Sequence, residues 1–335
     1  MPRISACPQM LLPLPMTETE VIIVGGGPAG SSCARELGRL GMESLVLDRA
    51  TFPREKLCAG WLTPATVSDL ELDANDYPHG FLTFDQLRIH IYGIAFSLKT
   101  TQHSIRRYEF DAWLLERSGA RVETHAVKSI KREDDGYTID GRYRCRYLVG
   151  AGGTRCPVYR NLFREHHPRK DELQVVAQEL EFDYPWKDPR CHLWFFQKGL
   201  PGYAWYVPKA DGYLNIGVGG MAARLKNRDD HIKHHWARLC SNLQKSGLLT
   251  GRIPDPGGYS YYLHSGSDIG RVGNAFVVGD AAGLATTDLG EGIGSAVRSG
   301  LMAARAIAKG EQYSLGNVRR YSWKEVVRFF QNKHP

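Results

Sequence analysis

Glu20-Val-Ile-Ile-Val-Gly-Gly-Gly-Pro-Ala-Gly30 is the stretch whose reading decides the fold. Val21 to Val24 form a short, continuously apolar, β-branched run, the pattern of a central parallel strand buried on both faces. The run leads straight into Gly25-x-Gly27-x-x-Gly30, with Pro28 and Ala29 inside the loop and a helix-compatible segment from Ser31 to Leu40 behind it. Gly25 permits a tight strand-to-helix turn, Gly27 lets the backbone approach a pyrophosphate, and Gly30 lets the helix pack closely on the strand. The helix N-terminus then offers N–H groups and a positive dipole end to phosphates. A second apolar run, Ser44-Leu-Val-Leu47, ends in Asp48, near the spacing of a carboxylate that bonds ribose hydroxyls. Strand, loop, helix, strand and acid in this order predict a dinucleotide site.

Working outward, 335 residues suffice for one large or two medium domains. A hydrophobic fraction of 42% and a charged fraction of 24% are those of a soluble globular protein. The net charge of +7 raises nucleic acid as a partner, but Lys and Arg are scattered among acids, and no basic run is interleaved with aromatics. Nucleic-acid binding is therefore not expected. The seven cysteines are odd in number and include no C-x-x-C, which fits free thiols in a reducing, cytoplasmic setting. Residues 1–18 read as a loose tail, because Met10 to Met16 is too short and proline-broken for a signal peptide. No window approaches 18 apolar residues, so no membrane span is expected. His231, His234 and His235 share a helical face without a completing ligand, so no metal site is expected.

The loop from Arg49 to Pro64 carries one thiol, Cys58, with Arg54, Lys56 and Gly60 close by in sequence. A cysteine there packs as a small apolar residue or acts as a thiol beside positive charge. Strand patterns occupy Phe84–Lys99 and Leu193–Gly219. Period two places Tyr203, Trp205 and Val207 on one face and Ala204 and Tyr206 on the other. Tyr203, Trp205 and Tyr206 are candidates for a flat apolar wall beside a ligand. A helix is expected around Phe110–Leu114, a short strand at Arg121–Val127, and a last strand at Ala275–Val278 followed by Gly279, Asp280 and a glycine-rich turn through Gly290, Gly292 and Ile293. An acid after a strand, then glycines opening a helix from Ser295 to Ala308, describe a second backbone cradle. Val318–Phe330 mixes apolar and basic residues at helical spacing, which reads as a surface helix or as a contact with an anionic membrane.

The combination of Gly25-x-Gly27-x-x-Gly30, Asp48, Arg107-x-x-Phe-Asp111 and Gly279-Asp280-Ala-Ala-Gly with Gly290-Glu-Gly292-Ile293 resembles the FAD-dependent p-hydroxybenzoate hydroxylase superfamily. Phe52-Pro-Arg-Glu-Lys-Leu-Cys58-Ala-Gly60 and Gly202-Tyr-Ala-Trp-Tyr-Val-Pro-Lys-Ala-Asp-Gly212 resemble its geranylgeranyl-reductase branch. The resemblance spans Glu20 to Lys309. It implies an α/β fold: a Rossmann-type FAD-binding domain, glutathione-reductase/p-hydroxybenzoate-hydroxylase-like, with an inserted β-rich substrate domain. The implied division is a tail at 1–18, an FAD-binding domain at 19–80, 100–180 and 265–312, a substrate domain at 81–99 and 181–264, and a C-terminal helix at 313–335.

By the same resemblance the cofactor is FAD. Gly25 to Gly30 hold the pyrophosphate and Asp48 the adenosine ribose, with Arg49 and Gly60 in the cofactor-binding set. Arg107 and Asp280 reach the ribityl and phosphate region, and Val127 brackets the adenine by its backbone. Gly290, Gly292 and Ile293 face the flavin ring edge where negative charge accumulates on reduction, and Cys58 stands near the flavin. Two departures count. The usual Gly-Ala-Asp-Gly is Gly150-Ala-Gly152-Gly153 here, and Thr287 replaces a proline that shapes the oxygen-reacting pocket of the monooxygenases. The implied activity is reduction of carbon–carbon double bonds in an isoprenoid-like small molecule or lipid, with NAD(P)H, ferredoxin or a partner reductase as electron donor. The alternatives are a monooxygenase or halogenase on an aromatic substrate, and a non-catalytic FAD-binding redox or interaction protein. The expected location is cytoplasmic, with possible peripheral contact to a membrane.

Overall fold

The computed structural model describes residues 16–322. The chain starts with β1 (Thr17–Val24), α1 (Pro28–Arg39), β2 (Ser44–Asp48), β3 (Trp61–Leu62), α2 (Pro64–Asp69), β4 (Leu82–Ile91), β5 (Ile94–Ser104) and α3 (Arg107–Arg117). It continues with β6 (Arg121–Thr124), β7 (Ile130–Arg132), β8 (Tyr137–Ile139), β9 (Tyr143–Gly150), β10 (Gln174–Asp183), β11 (Cys191–Phe195), β12 (Gly202–Pro208) and β13 (Tyr213–Met221). It closes with α4 (Ala222–Lys226), α5 (Ile232–Lys245), β14 (Gly257–Tyr262), β15 (Arg271–Val272), β16 (Ala275–Val277) and α6 (Ile293–Lys309).

Two sheets result. The first runs β15-β16-β9-β1-β2-β6, with the β7–β8 hairpin added beside β9. β1 is central, parallel to β2 and to β9, with Val21 opposite both Ser44 and Tyr147. Its apolar run Val21–Val24 is buried because helices cover the sheet: α1 and α6 pack on each other, and both join the core around β1. Gly300 makes that helix crossing possible, since a Cβ there would overlap the Ala29 carbonyl. α1 begins at Pro28, earlier than the expected Ser31, because a proline suits a first helical turn.

The second sheet runs β14-β10-β13-β12-β11-β4-β5-β3. Period two holds along β12. Trp205 and Val207, with Tyr203, pack on one face among Leu87, Ile89 and Leu193. Ala204 and Tyr206 pack on the other against Leu239 and Leu243 of α5. This sheet takes all of β5 through Ser104 and all of β10 from Gln174, so the chain passes between sheets at different residues from the expected 99 and 180. The expected strand to Val127 ends at Thr124, where pairing with β2 stops. The expected membrane-contact run 318–330 lies mostly outside the described residues. Among the described residues, no helix is long and apolar enough to cross a membrane.

Candidate functional site

The carboxyl ends of the parallel strands β1, β9 and β16 lie side by side, the crevice where open α/β sheets bind ligands. The three glycines of the first turn are demanded by different things. Gly25 sits at φ +114, and a Cβ there would lie 2.7 Å from the Gly152 nitrogen. A Cβ on Gly30 would overlap the Gly25 carbonyl. Both are required by the protein's own packing. A Cβ on Gly27 would meet only the Arg54 guanidinium, at an ordinary 3.5 Å. At Gly27 the bare backbone faces room lined by a cation, which suits an approaching phosphate.

Asp48 is buried at the end of β2. Its Oδ2 accepts the Gly26 N–H at 2.8 Å and its Oδ1 accepts the Ala50 N–H at 2.9 Å, which fixes the carboxylate at the turn. A carboxylate keeps further lone pairs after two such bonds, enough for ribose hydroxyls. Arg49 beside it is exposed. Val127 is half-buried and packs at the rim of the first sheet's core.

The loop carrying Cys58 is strung between the sheets. Arg54 Nη2 lies 3.3 Å from Asp111 Oδ2. Asp111, fully buried, also accepts a bidentate pair from Arg107, 2.6 Å at Nε and 2.7 Å at Nη2. Burial disfavours the Arg107 charge, but Asp111 more than offsets it and holds the guanidinium pKa above its ordinary value. Lys56 Nζ stands 3.2 Å over the Tyr259 ring, and burial lowers its pKa. Tyr259 in turn donates its hydroxyl to Asp280 Oδ2 at 2.9 Å. The loop's cations are therefore fixed at both ends of the crevice. Cys58 is half-buried among them, with the Gly60 N–H donated to its Sγ at 3.4 Å. Gly60, at φ +62, allows a close approach to the Ile105 carbonyl, a demand of the protein's own packing.

The second cradle completes the crevice. Gly279 donates its N–H to Ser299 Oγ at 2.9 Å, and its Cα faces Ala29 of the first turn. Asp280 Oδ1 lies 3.4 Å from where a Gly292 Cβ would stand, at the start of α6, and Ile293 is buried as that helix's first residue. Gly290, at φ +63, leaves room for the Tyr261 hydroxyl. Thr287 donates its N–H to the Arg320 carbonyl at 2.8 Å, a bond that a proline there could not make.

The aromatic wall adjoins this cradle through Tyr203, whose hydroxyl donates to the Leu289 carbonyl. Trp205 lies over Gly217 and Gly219, with its indole N–H held by Asn215 Oδ1 at 2.7 Å. Tyr206 is separated from both by the sheet. It is buried against α5, with its hydroxyl directed to the Asp188 carbonyl. The strand alternation that seats Tyr203 and Trp205 takes Tyr206 away from the crevice.

Three polar groups, two of them buried and Arg169 half-buried, were not singled out from the sequence. Lys209 reads as part of a turn, yet its ammonium is fully buried and donates to the carbonyls of Ala59 and, at 2.6 Å, Ile105. Arg169 donates to the Thr154 carbonyl at 2.5 Å and the Ala281 carbonyl at 2.9 Å, clamping the Gly152 turn to the Asp280 turn. Glu179 shares the Ala177 face of β10, and strand alternation would have found it. Asp230 accepts from His235 at 2.8 Å and from His234 at 3.1 Å, and no cluster of three or more potential metal ligands occurs among the described residues.

Comparison with known proteins identifies the cofactor. The family described as "FAD binding domain" matches residues 18–71. Menaquinone reductase of Mycobacterium tuberculosis (strain ATCC 25618 / H37Rv) is 29% identical, over 86% of this chain and 76% of that protein. Digeranylgeranylglycerophospholipid reductase 1 of Methanothermobacter thermautotrophicus is 25% identical, over 93% of this chain and 84% of that protein. A geranylgeranyl bacteriochlorophyll reductase-like structure from Thermoplasma acidophilum superimposes with a TM-score of 0.76 at 20% identity, covering 95% of this chain and 83% of that one. The chain is an FAD-dependent oxidoreductase similar to geranylgeranyl reductases. The open backbone at Gly27 under Arg54, and the anchored carboxylates of Asp48 and Asp280, fit the diphosphate and polyols of FAD in this flavoprotein.

Glu179 gives the flavoprotein a pH signature. Its Oε1 has no hydrogen-bond partner among the described residues, and burial pushes its pKa up to about 7 despite the nearby ammonium groups of Lys56 and Lys209. The folded state therefore binds this proton more tightly than the unfolded chain. Stability from it is full below the unfolded value near 4.5 and is lost as pH rises through about 7. Glu179→Gln, which carries no titrating proton, should gain on wild type across that window, by on the order of 3 kcal/mol at pH 8. Thermal melts of both proteins at pH 5 and pH 8 check it; a gap that does not widen with pH refutes the assignment.

Proposed function

We propose that the protein reduces carbon–carbon double bonds of an isoprenoid-like apolar substrate. The observation that carries this reading is the aromatic wall of Tyr203 and Trp205 set against the Leu289–Ile293 cradle, with the Cys58 loop on its other side. Such a wall suits an extended hydrocarbon. The names of two relatives, a menaquinone reductase and a digeranylgeranylglycerophospholipid reductase, point the same way. In this reading Gly25, Gly27, Pro28, Ala29 and Gly30 hold the diphosphate of FAD, and Asp48 holds the adenosine ribose with Arg49 beside it. Val127 brackets the adenine, Arg107 and Asp280 take the ribityl and phosphate groups, and Gly290, Gly292 and Ile293 face the flavin ring.

When bound and reduced, FAD supplies a hydride. The chain's own part is to exclude water, to align the double bond along Tyr203 and Trp205, and to deliver a proton to the carbon opposite the hydride. Cys58 is the proton donor in this reading, its S–H bond breaking as the new C–H bond forms. Hydride and proton together saturate the double bond, and an external donor such as NAD(P)H, ferredoxin or a reductase returns two electrons to the flavin. The apolar substrate gives the protein a reason to work at a membrane periphery.

The test is anaerobic. Reduced protein mixed with candidate isoprenoids should be reoxidised, with two hydrogens added to the product by mass. Cys58→Ala should keep its FAD yet reoxidise roughly a hundredfold more slowly, the low end for a lost general acid, with Cys58→Ser in between. An unchanged rate in Cys58→Ala assigns the proton to water, and a hydroxylated or halogenated product in air replaces the reductase reading.

A further inference from the structure

The β4–β5 turn and the β11–β12 turn lie together at the end of the second sheet, and both carry large apolar side chains into solvent. Tyr92 is 78% exposed, Ile94 70%, Phe96 42% and Phe196 44%. Tyr92 and Phe196 stack at 6.0 Å between ring centroids. Both also sit at positive φ, +48 and +55, a conformation costly for an aromatic residue and retained where the exposed position is useful. An exposed apolar cluster of this kind marks a contact surface.

Its surroundings are cationic. Lys198 is exposed in the Phe196 turn. Arg228 donates to the Gly199 carbonyl at 2.7 Å and Arg238 to the Lys198 carbonyl at 3.5 Å, so two guanidinium groups are drawn to the same turn. Residues 86–99 and 189–210, which contain the two turns, include no Asp or Glu. Asp229 and Asp230 are the acids adjoining Arg228 in sequence, and Asp230 is committed to His234 and His235. Apolar side chains ringed by cations match a bilayer with anionic headgroups, where the rings enter the acyl boundary and the cations meet phosphates.

The cluster is also continuous with the crevice. Phe196 meets Phe195 at 6.1 Å, Phe195 meets Tyr203 at 5.1 Å, and Tyr203 meets Trp205 at 5.7 Å. The row runs from the exposed tip to the wall beside the Leu289 carbonyl, and the side chains become more buried along it. We propose that this tip docks on an anionic lipid bilayer, and that the aromatic row is the route by which an apolar chain passes from bilayer to crevice. The docking stands on the tip alone; the route rests on the reading given under Proposed function.

Vesicle co-sedimentation with the FAD-loaded protein and no substrate separates the two. Wild type should bind vesicles of equal parts phosphatidylcholine and phosphatidylglycerol, more weakly in high salt and more weakly still on pure phosphatidylcholine. Tyr92→Asn/Ile94→Thr/Phe196→Asn, chosen because Asn tolerates positive φ and Thr keeps a branched strand residue, should bind at least about tenfold more weakly with unchanged FAD content and melting temperature. Lys198→Asn/Arg238→Gln should lose the preference for anionic vesicles while keeping the weak binding to neutral ones, which keeps the test decisive if the triple variant fails to fold. Docking is overturned if wild type ignores both vesicles, if both variants bind as wild type does, or if the tip instead mediates self-association without vesicle binding. If docking holds and no isoprenoid reoxidises the flavin, the substrate reading fails and the docking surface stands.

Discussion

Gly27→Val should fold and hold FAD far more weakly than wild type does. A Cβ on Gly27 meets only the end of the Arg54 side chain, at ordinary contact distance, so the branch point of a Val side chain meets no backbone there. The same side chain occupies the approach to the diphosphate. Overpacking of ~1–3 kcal/mol corresponds to a roughly 5- to 150-fold weaker cofactor. Gly30→Ala provides the contrast, because its Cβ would overlap the Gly25 carbonyl and strand and helix would have to part. Flavin absorbance per protein, read beside circular dichroism and thermal melts, distinguishes the cases. A folded, fully yellow Gly27→Val protein would refute the placement of the diphosphate.

A second large effect is expected at Asp111. It is fully buried, holds both nitrogens of the Arg107 fork and touches Arg54, so Asp111→Asn leaves a buried guanidinium facing a neutral amide. Removing one partner of a buried pair costs about 3–5 kcal/mol, which for a chain of this length lowers the melting midpoint by roughly 4–7 °C. Asp111→Asn/Arg107→Met should recover part of that loss, because the orphaned charge is gone. Thermal melts at saturating FAD for both variants decide the point. Equal midpoints for Asp111→Asn and wild type would mean that water or another group already satisfies Arg107.

The parts of this architecture legible in the sequence are those where chemistry and spacing are local. Val21–Val24, the glycines after it and Asp48 all lie within one strand-turn-helix-strand unit, so their arrangement follows from short-range geometry. The faces of β12 follow from period two for the same reason, and the same rule that seats Tyr203 and Trp205 takes Tyr206 to the opposite side. Lys209 was not legible, because its carbonyl partners Ala59 and Ile105 are distant in sequence and a lysine after a strand ordinarily meets water. Arg169 was hidden likewise, since the turns it clamps come from Thr154 and from Asp280–Ala281. Gly60 kept its expected place near Cys58, yet its missing side chain answers to the Ile105 carbonyl.

The strand order also sets a timetable during synthesis. β1 is made before its partner β9, which ends at Gly150, and before β9's own partner β16, which ends at Val277. At roughly 5–20 residues per second, the nascent chain carries an unfinished first sheet for about 10–50 s. Until β9 is made the apolar run Val21–Val24 has no far side to its sheet, and throughout the interval α6 does not yet exist to cover α1 and the second cradle has not been made. Capture of the cofactor by both cradles therefore waits until α6 has been made, and β1 stays incompletely covered until then.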